Sequence, residues 1–332
     1  MFDYIGNPLQ TRGAEEYTLS GGKGNGMRFL YVRNGLGLEA WVSLSRAADL
    51  SRVIFKGDNI GYFSPVGYVA PEFYDCRGDG FLKSFTAGFL TTCGLTAVGT
   101  PCVDDGEELP LHGTISNTPV SAYSAEEKSD GLHIKAVIED CRIFARKLVL
   151  TREYVFSYSE NSIRLCDKIT NYGDNESPYM LLYHCNVGYP LLTEKTKIVI
   201  PNTGVTPRNE YADKHLNTAL KTEGPQPCYT ERCYYYDVLQ NDGICKVGAF
   251  NESISKGLVL CYNKKELPCF TQWKMMGKHD YVLGLEPGNC TPDGRDVLRK
   301  NGTLKFLQPE ETGKTSIRFI FNDNKNQFAK EF

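Results

Sequence analysis

The sequence predicts an all-β protein, and three observations carry that prediction. Apolar and polar residues alternate with a period of two along most of the chain. Turn-forming clusters punctuate the alternating runs. The composition holds 20 Tyr and 17 Phe, aromatic residues that strands favour.

Taken in order, the first clear run is Leu36, Leu38, Ala40, Val42 and Leu44 on one face of an extended segment, with Gly37, Glu39, Trp41 and Ser43 on the other. Leu132, Ile134, Ala136 and Ile138 repeat the pattern; Ile163 and Leu165 continue it, and Ile317, Phe319 and Phe321 bring it close to the last residue. Turns are expected at Asn34-Gly35, Ser129-Asp130-Gly131, Asn171-Tyr172-Gly173-Asp174, Asn241-Asp242-Gly243 and Asn301-Gly302. Gly21-Gly22-Lys23-Gly24-Asn25-Gly26 lacks the Ser/Thr and strand–helix setting of a phosphate-binding loop, so it reads as a hairpin. Long helical periods are scarce, and a short helix is expected only near Glu231–Leu239. Many short strands joined by turns imply a sandwich or a barrel. No linker interrupts the chain and no repeat recurs, so residues 1–332 are read as a single domain.

A net charge of −3 gives no basic field for a nucleic acid backbone. Met1–Pro8 lacks the features of a signal peptide, and no run approaches the ~20 apolar residues that a membrane span needs. The expected setting is cytoplasmic. In that setting the 12 cysteines, among them Cys166 and Cys261 in apolar runs, read as buried free thiols rather than a disulfide framework. There is no Cys-x-x-Cys pair.

Three segments place a titratable group beside glycine in apolar surroundings: Leu109–Asn117 with His112, Tyr179–Pro190 with His184, and Tyr281–Cys290 with Glu286. His184 follows a run of large apolar residues and should sit where a strand reaches the rim of its sheet. Histidine titrates near neutrality, which suits proton transfer. Read alone, the same residue fits a core histidine bonded to a carbonyl. Glu286 follows an apolar strand that Pro287-Gly288 should end at once. Partial burial there would raise its pKa, whereas a solvated rim position would leave it inert. His112 is followed by a glycine that permits close approach of a ligand. The three lack the spacing of a dedicated metal site, and no Gly-x-Ser-x-Gly nucleophile elbow is present. No metal or cofactor is expected.

Together these segments resemble the aldose 1-epimerase (galactose mutarotase-like) superfamily, in particular an uncharacterised, DUF4432-type branch of epimerase-like proteins. The resemblance rests on Thr92–Leu95, Leu111-His112-Gly113, Tyr183–Leu192, Gln272–Gly277 and Gly284–Cys290, in that order, and covers roughly Gly35 to Pro309. It implies a β-supersandwich of antiparallel sheets with a shallow sugar-binding cleft. It implies that His184 protonates the ring oxygen and that Glu286 takes the proton of the anomeric hydroxyl. His112 would hydrogen-bond the substrate, with Arg46, Lys274 and Asn186 as further substrate-binding residues. Two departures bear on substrate identity. Arg46 lies in Leu44–Leu50 without the Asp-Arg-Gly-x-Asp-Ile pattern usual in the branch, and Thr114 follows His112-Gly113 where an arginine is common. The expected activity is interconversion of sugar anomers by acid–base ring opening, with a small carbohydrate as the partner. A non-catalytic sugar-binding protein on the same fold, or a lyase or hydrolase, is the alternative. A hydrolase would need a second carboxylate, for which Asp237, Asp280 and Asp293 are the candidates.

Overall fold

The computed structural model describes residues 2–332. Three antiparallel sheets dominate it. The first has five strands in chain order: Arg12–Thr18, Arg28–Asn34, Leu38–Ser43, Asp49–Phe55 and Asp58–Asn59. The glycine-rich stretch at 21–26 is the loop of its first hairpin, as the sequence suggests. At Asn34-Gly35 the Asn34 side chain accepts from the backbone N–H groups of Leu36 and Leu38, which closes the next turn.

The second sheet has nine strands. Its path runs Ala122–Glu127, Gly131–Cys141, Lys147–Ser157, Ser162–Asn171, Thr312–Asn322, Lys256–Asn263, Ile244–Asn251 and Thr196–Val199, with Gln240–Asn241 also pairing to Ile244–Asn251. The strand Thr312–Asn322 therefore lies inside this sheet, between partners far from it in sequence. The Asn241–Ile244 turn has φ of +50° at Asp242 and +83° at Gly243. Those are the signs that suit a tight two-residue hairpin.

The third sheet carries the chemistry. Its order is Asn202–Pro207, Arg232–Val238, Cys269–Met276, Tyr281–Gly288, Met180–Val187 and Leu90–Leu95. One face supplies Leu181, Tyr183, Cys185, Leu283 and Leu285 to a main core that also takes in Ile134, Leu165, Leu260 and Phe319 of the nine-stranded sheet. The other face is covered by loops.

A buried arginine ties the sheets together. Arg152, fully enclosed, donates to Asp49 at 2.7 Å, to both oxygens of Asp167, to Thr92 Oγ1 and to the Ala47 carbonyl. Tyr183 also donates to Asp167 at 2.7 Å. Every polar group of that cluster therefore has a partner, the condition under which a buried charge is tolerated.

Several expectations are corrected. The helix expected near Glu231–Leu239 is the strand Arg232–Val238, paired on both sides. Its Tyr234-Tyr235-Tyr236 run fits the pleated surface better than a helix. Asn301-Gly302 is a turn as expected, though it follows the helix Arg295–Lys300 rather than a strand. Cys166 and Cys261 are only half-buried. All twelve cysteines are free thiols: five buried, four half-buried and three exposed.

Candidate functional site

Strand register assembles the site. Pairings of Leu182 with Gly288 and of Cys185 with Leu285 bracket His184 and Glu286, so these two residues stand opposite each other on adjacent strands. The ladder is open at that step, where Pro287 has no N–H to give. On the far side of His184 lies Thr91, and on the far side of Glu286 lies Thr271. Residues directly opposite in a sheet point to the same face. Thr91, His184, Glu286 and Thr271 thus form one row across four strands. The next row on that face is Asn186, Gly284, Trp273 and Cys233.

This face opens into a cavity of about 190 Å³, somewhat smaller than the ~300–1,000 Å³ of drug-sized ligand sites. His184, Glu286, Thr271, Trp273 and Cys233 come from the sheet, and the covering loops add Phe81, Phe85, His112 and Pro292. Arg208 follows the strand Asn202–Pro207, and Glu231 precedes the strand Arg232–Val238. A larger groove of about 1,030 Å³ lies elsewhere, around Arg146 and Asn171, and contains none of these groups.

His184 is mid-strand, within Met180–Val187, rather than at a strand end, and Glu286 lies inside Tyr281–Gly288, which runs on through Pro287. Both are almost wholly buried, at 5% and 2% exposure. His184 Nε2 is 3.3 Å from Glu286 Oε1. The separation falls within ion-pair range, yet Oε1 has no hydrogen bond that satisfies it. Thr271 Oγ1 is likewise buried without a partner. Two residues of the cavity wall therefore each carry a buried polar atom without a partner. Acid and base stand in side-by-side contact.

Hydrogen bonding fixes the tautomers of both histidines. Asn186 Nδ2 donates to the His184 carbonyl at 2.9 Å, which leaves its Oδ1 to accept from His184 Nδ1 at 2.7 Å. The neutral His184 ring therefore carries its proton on Nδ1 and turns the Nε2 lone pair toward Glu286. His112 is the reverse. Its Nδ1 accepts from the Gly99 N–H at 3.3 Å, so the proton of the neutral ring is on Nε2. The two rings meet edge-on at 5.5 Å, and His184 also meets Phe85 at 5.2 Å and Trp273 at 5.3 Å. His112 holds a φ of +60°, a region that histidine tolerates better than most side chains.

Burial dominates the electrostatics. It pulls His184 down to about 4, against a smaller upward pull from the Asn186 bond. It pushes Glu286 well above the carboxylate range, with the charge of Glu231 adding to the rise. Burial, then His184 and Arg208, hold His112 well below its usual value. Both directions favour the uncharged pair while the cavity is empty, a neutral His184 ring beside a protonated Glu286.

Three of the residues expected to bind substrate, Lys274, Arg46 and Asn186, are not on the cavity wall. Lys274 follows Trp273 and so faces the opposite side of the sheet. There its Nζ donates to the carbonyls of Thr218 and Lys221 and pairs with Glu223 at 2.8 Å. Arg46 is buried and donates to the carbonyls of Ser116 and Ser84. Asn186 is fully buried behind His184 and positions that ring. Asp237 pairs with Lys264, Asp280 lies by Tyr62, and Asp293 accepts from Tyr235, with none of the three on the cavity wall. Arg208, Glu231, Thr271 and Trp273 do line it, and sequence reading missed them. The period-two offset of Thr271 and Trp273 from each other was the available signal; for Arg208 and Glu231, at strand ends, there was none. No group of three or more metal-ligating side chains occurs among the described residues, and no helix there is long and apolar enough to cross a membrane.

Comparison with known proteins fits this geometry. A family model described as a domain of unknown function, DUF4432, matches residues 24–320. A structure from Klebsiella pneumoniae subsp. pneumoniae, provisionally named an aldose 1-epimerase, superposes with a TM-score of 0.90 at 27% identity, covering 96% of this chain and 85% of that one. A galactose mutarotase-like protein from Clostridium acetobutylicum gives 0.70 at 13% identity, covering 94% and 99%. A galactose 1-epimerase from Lactobacillus acidophilus gives 0.64 at 15%, with the same coverage. These likenesses establish the galactose mutarotase-like sandwich fold. Compared with curated proteins, the sequence matches none.

Proposed function

Because the chain belongs to the family described as a domain of unknown function, DUF4432, and has the aldose 1-epimerase-like fold, we propose that it is an isomerase interconverting the α and β anomers of an aldose. The observation that carries this reading is the contact of His184 and Glu286, side by side and 3.3 Å apart, at one wall of a small cavity. Ring oxygen and anomeric hydroxyl are two oxygens on one carbon, so the acid and base that serve them must be close neighbours.

A sugar entering the cavity brings its anomeric hydroxyl to Glu286 Oε1 and supplies the hydrogen bond that this atom lacks. That bond favours the carboxylate, and the proton of the pair moves to His184 Nε2. Glu286 then removes the C1 hydroxyl proton while His184 delivers its own to the ring oxygen. The C1–O5 bond breaks and C1 becomes the aldehyde. Rotation about C1–C2 presents the other face of the carbonyl. Closure reverses both transfers, returning a proton from Glu286 to the new anomeric oxygen and the O5 proton to His184. No co-reactant is consumed. His112, with Nε2–H as a fixed donor, holds a substrate oxygen, and Trp273 and Phe85 flank the ring. Asn186 acts through His184 as a positioning residue.

We read residues 1–332 as one domain, supported by a core cluster that runs from Leu30 to Phe321. The free thiols support a reducing, cytoplasmic setting. The test is the rate of α/β exchange measured by NMR for a panel of aldoses. Wild type should accelerate exchange of at least one, and His184→Ala and Glu286→Gln should each lose ~10²–10⁴-fold. Acceleration that survives both substitutions, or no acceleration for any sugar, defeats the reading.

A further inference from the structure

The cavity has a second carboxylate that the ring-opening scheme leaves unused. Glu231 Oε2 accepts from the Trp273 indole N–H at 2.7 Å, while its other oxygen takes no hydrogen bond from the described residues. Glu231 lines the same cavity as Glu286, and its charge acts on Glu286. Trp273 is fixed in turn by its place in the sheet, opposite Gly284 on one side and Cys233 on the other. Below it the Thr271 hydroxyl, 1% exposed, faces the cavity without a partner. One wall of the site thus offers a held carboxylate, an indole and an unpartnered hydroxyl, all outside the acid–base pair.

The charges around that wall are unbalanced against an anion. Among the described residues Arg208 is the only arginine or lysine on the cavity wall, and its charge is shared with Asp293. Its Nη2 donates to Thr100 Oγ1 at 2.8 Å and to the Pro292 carbonyl at 3.2 Å, and its Nε lies 3.7 Å from Asp293. Lys274 and Arg46 are caged elsewhere by carbonyl oxygens. A phosphate, sulfonate or uronate group would meet two carboxylates, Glu231 and the Asp293 beside Arg208, against that one cation. A carboxylate is instead a strong acceptor for neutral hydroxyl groups.

We infer that Glu231, held in place by Trp273, is a specificity-determining residue that reads sugar hydroxyls and restricts the cavity to uncharged aldoses. This rests on the reading that the cavity takes a sugar, and it names the class of that sugar. Glu231 is exposed, so solvent screens part of the like-charge cost, and a discrimination of about 10-fold is the scale expected.

The experiment compares each neutral aldose of a panel with its 6-phosphate and its uronate. Binding is followed by ligand-observed NMR titration and, separately, α/β exchange is followed by NMR, in wild type and Glu231→Gln. The glutamine keeps an acceptor for Trp273 and removes the charge. Wild type should bind the neutral member of a pair about 10-fold or more tightly than its charged partners, and Glu231→Gln should shrink that ratio at least ~3-fold. Equal or tighter binding of a charged partner, or a ratio that Glu231→Gln leaves unchanged, overturns the inference. A Glu231-dependent preference for neutral sugars without accelerated exchange sustains it and defeats the epimerase reading. Accelerated exchange of the 6-phosphates does the reverse, and no binding of any sugar defeats both.

Discussion

A β-carbon built on Gly284 would stand 2.2 Å from Oε1 of Glu286, two residues along the same strand. The glycine therefore leaves open the space into which the Glu286 carboxyl folds beside His184. Gly284→Ala should push the carboxyl out of line while the strand persists, because the nearest clash is with the far end of a flexible side chain. The Trp273 β-carbon, at 2.9 Å, must also give. Misplacing a reacting group by about 1 Å costs on the order of 10²-fold in rate. We expect kcat/KM for anomer exchange to fall ~10–100-fold with a far smaller loss of thermal stability. Unchanged exchange kinetics would show that Glu286 does not act from this position.

The His184–Asn186 bond sets the acid side of the pH profile. His184 is held near 4, so kcat/KM should stay level through pH 6 and fall only as the pair gains a second proton. Asn186→Asp puts an anion against Nδ1 and favours the imidazolium. The acid limb should move upward, toward pH 6.5. Asn186→Ala removes a bond that raises the His184 pKa and frees the tautomer. It should lower kcat ~10–100-fold, within the range for general acid–base catalysis, with little change in KM. A profile that neither substitution moves would remove Asn186 from the positioning role.

Stability should respond to pH with opposite slopes from the two groups. His184 is depressed in the folded state, so the unfolded chain binds its proton first and stability falls as pH drops from 6.5 toward about 4. Glu286 is raised, so the unfolded chain ionises first and stability falls as pH rises above 4.5. Glu286→Gln abolishes the second effect. Its Tm relative to wild type should climb between pH 4.5 and 8, by roughly 2 °C or more at the upper end, the scale of ~1 kcal/mol in a chain of this size. A flat difference between the two melting curves would mean that Glu286 is ionised at neutral pH in the empty cavity.

Arg152 is the structural counterpart of these active groups. Arg152→Met would leave Asp49 and Asp167 buried without their cation, and breaking a buried pair in this way costs ~3–5 kcal/mol. Denaturant titration should show that loss, and Asp49→Asn in the Arg152→Met background should recover part of it. A loss below 1 kcal/mol would show that the two carboxylates are accommodated without the guanidinium.

Local pattern made the strands legible: the alternation at Leu132–Ile138 and the turn at Asn34-Gly35 each depend on neighbours in sequence. Tyr234-Tyr235-Tyr236 was misread because a short aromatic run has no decisive period of its own, and its two strand partners settle it. In the site, His184, Glu286 and His112 stood out as polar groups in apolar segments, and the structure brings them to one cavity. Lys274, expected in the site only from the resemblance, faces away, a difference of one residue in register relative to Trp273. Glu231 and Arg208 carried no local signal. Their place on the wall depends on which strands pair, a long-range property that no short window records.

The position of Thr312–Asn322 inside the nine-stranded sheet bears on how the molecule is made. Until the ribosome has released that stretch, Ser162–Asn171 and Lys256–Asn263 each present a bare edge, the kind of surface on which nascent chains aggregate. Closure of the gap between these edges waits on the synthesis of Thr312–Asn322. A truncation that removes it should therefore yield insoluble protein even though every residue of the cavity wall has already been translated.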